Sequence, residues 1–156
     1  MIKTNKSLWL LIATLALTSK VGFAVEMPSD KVEFLNGKPV SKKLPFSEIV
    51  RVENTLYLSG QIGVQPNTGK LVQGGFEAEA VQTLTNIKSS LQRYGYSMNN
   101  VVKCTVMLTN IGDFTRFNQV YSRFFTPPYP ARSAFAVNQL ALNASVEVEC
   151  IASVLN

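Results

Sequence analysis

Two charged side chains in the last quarter of the chain could do chemistry together. Arg132 stands at the start of an apolar segment, and Glu147 follows fifteen residues later in the alternating segment Val146–Glu149. A guanidinium binds a carboxylate through two parallel hydrogen bonds, and a carboxylate can orient or deprotonate water. We expect both to lie off the helix-covered face of a sheet, where they could bind a small acid and a water. Either residue alone is a weak signal, because a lone arginine or glutamate on a strand is more typical of a solvated charge.

Composition excludes several other kinds of chemistry. The chain has 156 residues, no histidine and two cysteines. This removes histidine acid–base catalysis, the common zinc sites and a disulfide-dense scaffold. With 46% hydrophobic and 16% charged residues, the chain is neither disordered nor a coiled coil. Its length predicts one domain.

The N-terminus has the build of a secretory signal peptide. Lys3 and Lys6 precede the apolar run Leu8–Leu17, and the small residues Gly22 and Ala24 precede a cleavage point after Ala24. The ten-residue run is too short to span a bilayer as a mature helix. The alternative is a buried or membrane-anchoring N-terminal helix. The sequence therefore predicts a signal peptide over 1–24, an N-terminal arm over 25–44 and one domain over 45–156.

The predicted export changes how the net charge of +5 is interpreted. Three of the basic residues and no acidic residue fall in 1–24, which leaves 12 basic and 10 acidic residues in 25–156. Lys42-Lys43 is the only adjacent basic pair there. Nucleic-acid binding needs clustered positive charge, so we expect none. We expect an exported, periplasmic protein without stable membrane insertion after cleavage.

Hydrophobic periodicity predicts the elements that must position Arg132 and Glu147. Period-two segments predict strands, and apolar steps of three and four predict helices. Glu53-Asn54 reads as a hairpin turn, Gly95 as a helix stop and Asp113 as a helix N-cap. The order is strand, helix, strand, helix, strand, strand. The first strand region is a hairpin of 49–52 and 55–62, and the later elements are 75–94, 101–108, 113–126, 132–137 and 145–154. This is an α+β domain with two helices packed on one face of the sheet.

Strand alternation also predicts what each sheet face carries. One face takes the apolar alternating positions, among them Val102, Cys104, Val106 and Leu108. The other face takes moderately polar side chains that no helix covers, namely Tyr57, Ser59, Gln61, Met107 and Thr109. Such a face is often buried against a copy of the same chain, so we expect an oligomer.

A series of short motifs, all in the same order, resembles the Rid family of reactive-intermediate deaminases, also called the YjgF family. The similarity covers about 45–154. The matching motifs are Pro45-Phe46-Ser47, Leu58–Ile62, Asn99–Lys103, Asp113-Phe114, Asn118–Tyr121, Phe124-Phe125, Pro130–Ser133 and Val146–Glu149.

The resemblance implies a chorismate-mutase-like α+β fold with a mixed sheet and a homotrimer with a cleft at each subunit interface. It implies hydrolysis of 2-imino or 2-aminoacrylate-type acids to 2-keto acids and ammonia, without cofactor or metal. The implied partners are an imino or keto acid and further copies of the chain.

The resemblance also implies roles for individual residues. Arg132 would bind the substrate carboxylate, and Glu147 would position the attacking water. Six further positions would line the ligand site, namely Phe46, Ser59, Gly60, Asn118, Ser133 and Ala134. Phe46 stands where the family usually has tyrosine, and Ala134 where it often has cysteine. The alternative is therefore a non-catalytic envelope protein on the same fold that binds small carboxylates or hydrophobic segments.

The two cysteines fall on strands that the family fold places side by side. Cys104 and Cys150 could be two buried apolar thiols, as buried cysteines commonly are. They could instead form a disulfide, provided that their Cα atoms lie within about 7 Å.

Overall fold

The computed structural model describes residues 31–37 and 45–155. The predicted signal peptide over 1–24, its cleavage point and most of the predicted arm lie outside the described residues. Within the described part of the chain, no helix combines the length and the apolar character needed to cross a membrane.

A single mixed sheet forms the body of the fold. Its strands are β1 (Val32–Leu35), β2 (Ile49–Val52), β3 (Thr55–Leu58), β4 (Gln61–Ile62), β5 (Val101–Leu108), β6 (Ala131–Ala136) and β7 (Val146–Ser153). The spatial order is β1-β2-β3-β7-β5-β6, with β4 also paired to β7. Only the β5–β6 pair is parallel among these strands. Strand β1 lies within the predicted arm, where the sequence had indicated no regular element.

Two helices cover one face of this sheet, as predicted. Helix α1 spans Gly75–Arg93 and helix α2 spans Phe114–Tyr121. The apolar positions of α1 that recur at three and four residues are buried against the sheet, namely Phe76, Ala80, Leu84, Ile87 and Leu91. Burial of such side chains stabilises a domain by about 1.5–3 kcal/mol each. The α+β architecture with two helices on one face of a mixed sheet is confirmed.

The helix ends follow the expected chemistry at one position and depart from it at another. Gly95 has φ of 82°, and its N–H donates to Gln92 O while the Tyr96 N–H donates to Leu91 O. This is a Schellman ending, which favours glycine at that position. Asp113 stands at the N-cap position of α2, as predicted, but its side chain does not cap the helix. Its carboxylate makes no cap hydrogen bond to the start of α2 and instead accepts from Arg116 at 2.7 Å.

Two irregularities turn side chains to the face opposite from the one predicted. A β-bulge between Val101 and Lys103 leaves Val102 47% exposed, although alternation had placed it with the core. A break after β3 puts Gln61 opposite buried Val148, so it faces the helix side rather than the uncovered side. Alternation holds only where the ladder is unbroken.

A disulfide joins neighbouring strands beneath the helices. Cys104 and Cys150 stand directly opposite each other on β5 and β7, with Cα atoms 4.1 Å apart, and are bonded. Both are at most 2% exposed. Of the two alternatives for these cysteines, the structure has the disulfide.

The other sheet face has no helix over it. Exposed or partly exposed apolar and aromatic side chains from six strands share it, namely Phe34, Val50, Tyr57, Met107, Phe135 and Ile151. Tyr57 is 49% and Phe135 46% exposed. An open face of this kind fits the expected oligomer, which stays a prediction.

Candidate functional site

Arg132 lies on the helix-covered side of the sheet, which corrects the prediction that it lies off that face. In the parallel β5–β6 register it stands beside Cys104, whose side chain is buried beneath the helices. Its guanidinium extends over α2. The prediction was wrong because the face of Arg132 is set by the pairing of its strand with β5, which the sequence of the strand alone does not fix.

The guanidinium of Arg132 is held by neutral groups. Its Nη2 donates to the Asn118 Oδ1 at 2.6 Å. Its Cζ lies 5.4 Å from the ring centroid of Phe114, 5.8 Å from that of Phe117 and 4.8 Å from that of Tyr121. Each of these distances falls within the range of a cation–π contact.

The charge of Arg132 has no acidic partner in the described part of the chain. The other four arginines of the sequence each form an ion pair with a carboxylate there, namely Arg51, Arg93, Arg116 and Arg123. None of the ion pairs among the described residues includes Arg132. A half-buried cation with neutral neighbours retains its affinity for an anion.

Glu147 lies on the opposite, uncovered face of the sheet, as predicted. It stands across from Met107 on β5 and from Ile62 on β4. Partial burial raises the pKa of its carboxyl above the ordinary value, and the neighbouring Glu149 carboxylate raises that pKa further. A carboxyl with a raised pKa is better suited to exchange protons near neutral pH than an exposed glutamate.

Gly60 lies directly against the Glu147 side chain. A Cβ placed on Gly60 would overlap Glu147 Oε1 and lie 3.0 Å from its Cδ. The backbone torsion of Gly60 falls outside the left-handed range, so this residue is small because of the close approach and not because of its conformation. Gly60 therefore sets where the carboxylate can sit.

The segment that carries Phe46 is attached to the same region. The Ser59 hydroxyl donates to Ser47 O at 2.7 Å, and the Ser59 N–H donates to Glu48 O at 3.0 Å. Phe46 itself is 55% exposed. We call Phe46, Ser59, Gly60 and Glu147 the Glu147 group.

The remaining candidate residues divide between the two faces. Ala134 pairs with buried Val106 and lies on the helix side with Arg132 and Asn118, and we call these three the Arg132 group. Ser133 pairs with Thr105 and faces the uncovered side. The two groups therefore lie on opposite faces of the sheet within one protomer.

Each group is chemically suited to half of a reaction. The Arg132 group can bind an anion, and the Glu147 group can orient water and take up a proton. Residues 31–37 and 45–155 contain no cluster of three or more His, Cys, Asp or Glu side chains that could hold a metal ion.

Sequence reasoning missed the aromatic support of Arg132. The predicted second helix contains Phe114, Phe117 and Tyr121, and Phe117 and Tyr121 are buried. With Asn118 these three aromatic residues occupy positions i, i+3, i+4 and i+7 of α2 and so share one face. Asn118, a polar residue within this aromatic stripe, was the feature of the sequence that indicated that the stripe contacts more than apolar core.

Comparison with known proteins places the chain in a family. Residues 38–154 match the family model described as endoribonuclease L-PSP. The chain is 46% identical to the 2-iminobutanoate/2-iminopropanoate deaminase of Bos taurus over 108 residues, which are 69% of this chain and 79% of the relative.

Solved structures give the same result. RidA from an Antarctic Psychrobacter is 42% identical, with a TM-score of 0.68 over 70% of this chain and 88% of that one. The Rid-family protein YyfA from Yersinia pestis is 34% identical, with a TM-score of 0.74 over 79% of this chain and 99% of that one. With its sequence motifs, its fold and its relatives in agreement, the chain belongs to the endoribonuclease L-PSP family, the family of the Rid (YjgF-type) proteins.

Proposed function

We propose that this protein hydrolyses reactive 2-imino and 2-aminoacrylate-type acids to 2-keto acids and ammonia. Relatives named 2-iminobutanoate/2-iminopropanoate deaminase support this reaction class. The observation that carries the proposal is the half-buried Arg132 guanidinium, which neutral groups hold and which no carboxylate among the described residues neutralises. It supplies the charge that a small carboxylate substrate requires.

Arg132 binds the substrate carboxylate and thereby places the iminium carbon. That carbon is already electrophilic, so orientation of the water supplies much of the needed rate enhancement. Glu147 accepts a proton from water as its oxygen bonds to this carbon, giving a carbinolamine. The same carboxyl then returns the proton to nitrogen. As the C–N bond breaks and the C=O bond forms, the hydroxyl proton passes through Glu147 to the departing ammonia, and keto acid and ammonium leave. An iminium ion and one water thus give one keto acid and one ammonium ion, with no net oxidation.

The catalytic site is completed between neighbouring copies of the chain. Arg132 and Glu147 lie on opposite faces of one sheet, so one small substrate cannot contact both within a single protomer. A homotrimer in which the Arg132 group of one copy meets the Glu147 group of the next supplies three identical sites. The uncovered apolar face supports such an assembly.

The working location is outside the cytoplasm. The N-terminal signal-peptide pattern supports export, and the Cys104–Cys150 disulfide is of a kind that persists in oxidising compartments such as a bacterial periplasm.

Purified residues 25–156 should accelerate release of ammonia and keto acid from an imine that an amino-acid oxidase generates. Arg132→Ala should lose most of this acceleration, because removal of a charge-assisted contact costs about 1.5–3 kcal/mol. Arg123→Ala is the matched control, since it removes an exposed arginine paired with Glu77. The proposal fails if wild type does not exceed the spontaneous rate, or if Arg132→Ala equals wild type.

Phe46 and Ala134 favour one alternative, a protein that binds small carboxylates without turnover. Phe46 carries no hydroxyl and Ala134 no thiol at positions where relatives of this type usually have them. Calorimetry with pyruvate separates the two functions, because tight binding without imine turnover supports the alternative. A ribonuclease finds little support in a chain without histidine.

A further inference from the structure

The ring of Tyr121 is the aromatic group that lies nearest to the Arg132 guanidinium, at 4.8 Å from Cζ to centroid. Tyr121 is 5% exposed, and its hydroxyl makes no hydrogen bond to any residue in the described part of the chain. Its contact with Arg132 is therefore made by the ring and not by the hydroxyl.

The Tyr121 ring is itself fixed in place. Its centroid lies 5.8 Å from that of Phe117 and 4.3 Å from that of Phe125. Phe117 is fully buried and Phe125 is 4% exposed. A ring between two buried rings cannot change rotamer without disturbing close packing, so Tyr121 offers the guanidinium a rigid surface.

Arg132 is thus restrained on two sides. The Asn118 amide oxygen holds the Nη2 end at 2.6 Å, and the aromatic stripe of α2 lies against the π face. An unrestrained arginine loses rotamer freedom when it binds a ligand, at a cost in binding free energy. A guanidinium that is already restrained avoids most of that cost. Its other N–H groups donate to no residue in the described part of the chain and can bind a carboxylate.

We propose that Tyr121 is a positioning residue, which preorganises Arg132 for the substrate carboxylate through its ring. This inference rests on the proposed role of Arg132 in carboxylate binding. Tyr121 contacts neither substrate nor water and acts only through Arg132. Its effect should therefore fall on affinity rather than on the chemical step.

The first readout is spectroscopic and independent of turnover. In a ¹H–¹⁵N spectrum of the oligomer, the Arg132 Nε–Hε signal is identified by its disappearance in Arg132→Lys. Protons over a ring face are shifted upfield, so the position of this signal should depend on the Tyr121 ring. It should move downfield in Tyr121→Leu and return in Tyr121→Phe, which restores the ring without the hydroxyl.

The second readout is affinity. In Tyr121→Leu the Kd for pyruvate and the KM for imine should rise about two- to tenfold, while kcat changes less, because the interaction is made equally in ground and transition states. Tyr121→Phe should restore the Kd. Leu91→Ala is the control for loss of core packing, because Leu91 is fully buried in α1. Its neighbour Ser90 contacts Glu48, which precedes β2.

Unchanged pyruvate affinity together with an unmoved Arg132 signal in folded Tyr121→Leu would overturn the proposal. Equal losses of affinity in Leu91→Ala and Tyr121→Leu would also overturn it. If Tyr121→Leu does not fold, Tyr121→Met gives the same test, because a flexible methionine removes the ring and fills more of its volume. A wild type that neither binds pyruvate nor turns over imine contradicts the proposed function, whereas the Arg132 signal still decides the positioning role.

Discussion

Arg132 and Glu147 lie on opposite faces of the same sheet, Arg132 beside Cys104 on the helix side and Glu147 across from Met107 on the uncovered side. The strand β5 lies between β6 and β7, so its backbone separates the two functional side chains. Neither side chain can reach the other without crossing the sheet. The two proposed half-sites of one chain therefore face different surroundings.

Mixed oligomers should recover activity that each parent variant lacks. Arg132→Ala and Glu147→Gln are each expected to be nearly inactive alone. When they are unfolded together and refolded at equal ratio, about a quarter of the interfaces should join an intact Arg132 to an intact Glu147. Imine turnover should then reach about a quarter of the wild-type value.

The control for this experiment mixes the two variants without unfolding, which should leave activity low while subunits do not exchange. If the refolded mixture is no more active than its parents, the site does not combine Arg132 and Glu147 from different copies.

Gly60→Ala should reduce turnover without loss of fold. The added methyl group would overlap the Glu147 carboxylate, which lies at the far end of a flexible side chain and can move aside. The carboxylate then leaves the position from which it orients water, and a misplacement of about 1 Å can lower a rate about a hundredfold. Steady-state kinetics with a thermal melt measure both effects.

Gly69→Ala is a useful comparison, since nothing lies within 4 Å of a Cβ at Gly69. That residue has φ of 67°, so its substitution strains the backbone at a distance from Glu147. If Gly60→Ala keeps full kcat, the close approach of Gly60 and Glu147 has no part in catalysis.

The acid limb of the pH profile should report the Glu147 carboxyl. Its pKa is raised by partial burial first and by the Glu149 carboxylate second. Activity that requires ionised Glu147 should therefore fall, as pH is lowered, at a higher pH than the ordinary glutamate value of about 4.3. Glu149→Gln should move this limb to lower pH, but not the whole way, because burial is the larger cause. An unmoved limb in Glu149→Gln would assign the titration to another group.

The raised pKa of Glu147 predicts that Glu147→Gln loses activity without losing stability. A carboxyl whose pKa is higher in the folded than in the unfolded state favours folding most when it is protonated, and this contribution is lost as pH rises through the folded-state pKa. Ionised Glu147 thus opposes folding at neutral pH. Glu147→Gln should lose activity while its free energy of unfolding at pH 7–8 stays equal or increases, as urea titration can measure. A marked loss of stability would contradict the stated cause of the pKa.

The double variant Cys104→Ser/Cys150→Ser should be less stable than wild type. The bond joins cysteines with a sequence separation of 46. A disulfide that closes a loop of this length stabilises the folded protein by about 4 kcal/mol, because it restricts the unfolded chain. Urea unfolding of both proteins gives the difference. Labelling of the denatured, unreduced wild type should find no free thiol, and two labelled cysteines would contradict the disulfide.

The sequence predicted the elements well because their signals are local. The three- and four-residue apolar steps of α1 and the glycine at its end depend on neighbours along the chain. The face of Arg132 was predicted wrongly because it depends on pairing between β5 and β6, which no local pattern records. Val102 was misplaced for a similar reason, since a single bulge reverses alternation. Whether Cys104 and Cys150 bond depends on the register of β5 against β7, and sequence periodicity leaves that register open.

Four arginines pair with carboxylates, whereas Arg132 contacts an amide oxygen and aromatic rings. This difference bears on whether the protein binds acids in preference to neutral molecules of similar shape. Amides and esters of 2-keto acids have a similar shape to the acids but no negative charge. A guanidinium packed against aromatic rings interacts with them too weakly to compensate for their lost hydration. Selection for acids over neutral analogues would then be a property of one side chain, and it would weaken as added salt screens that charge.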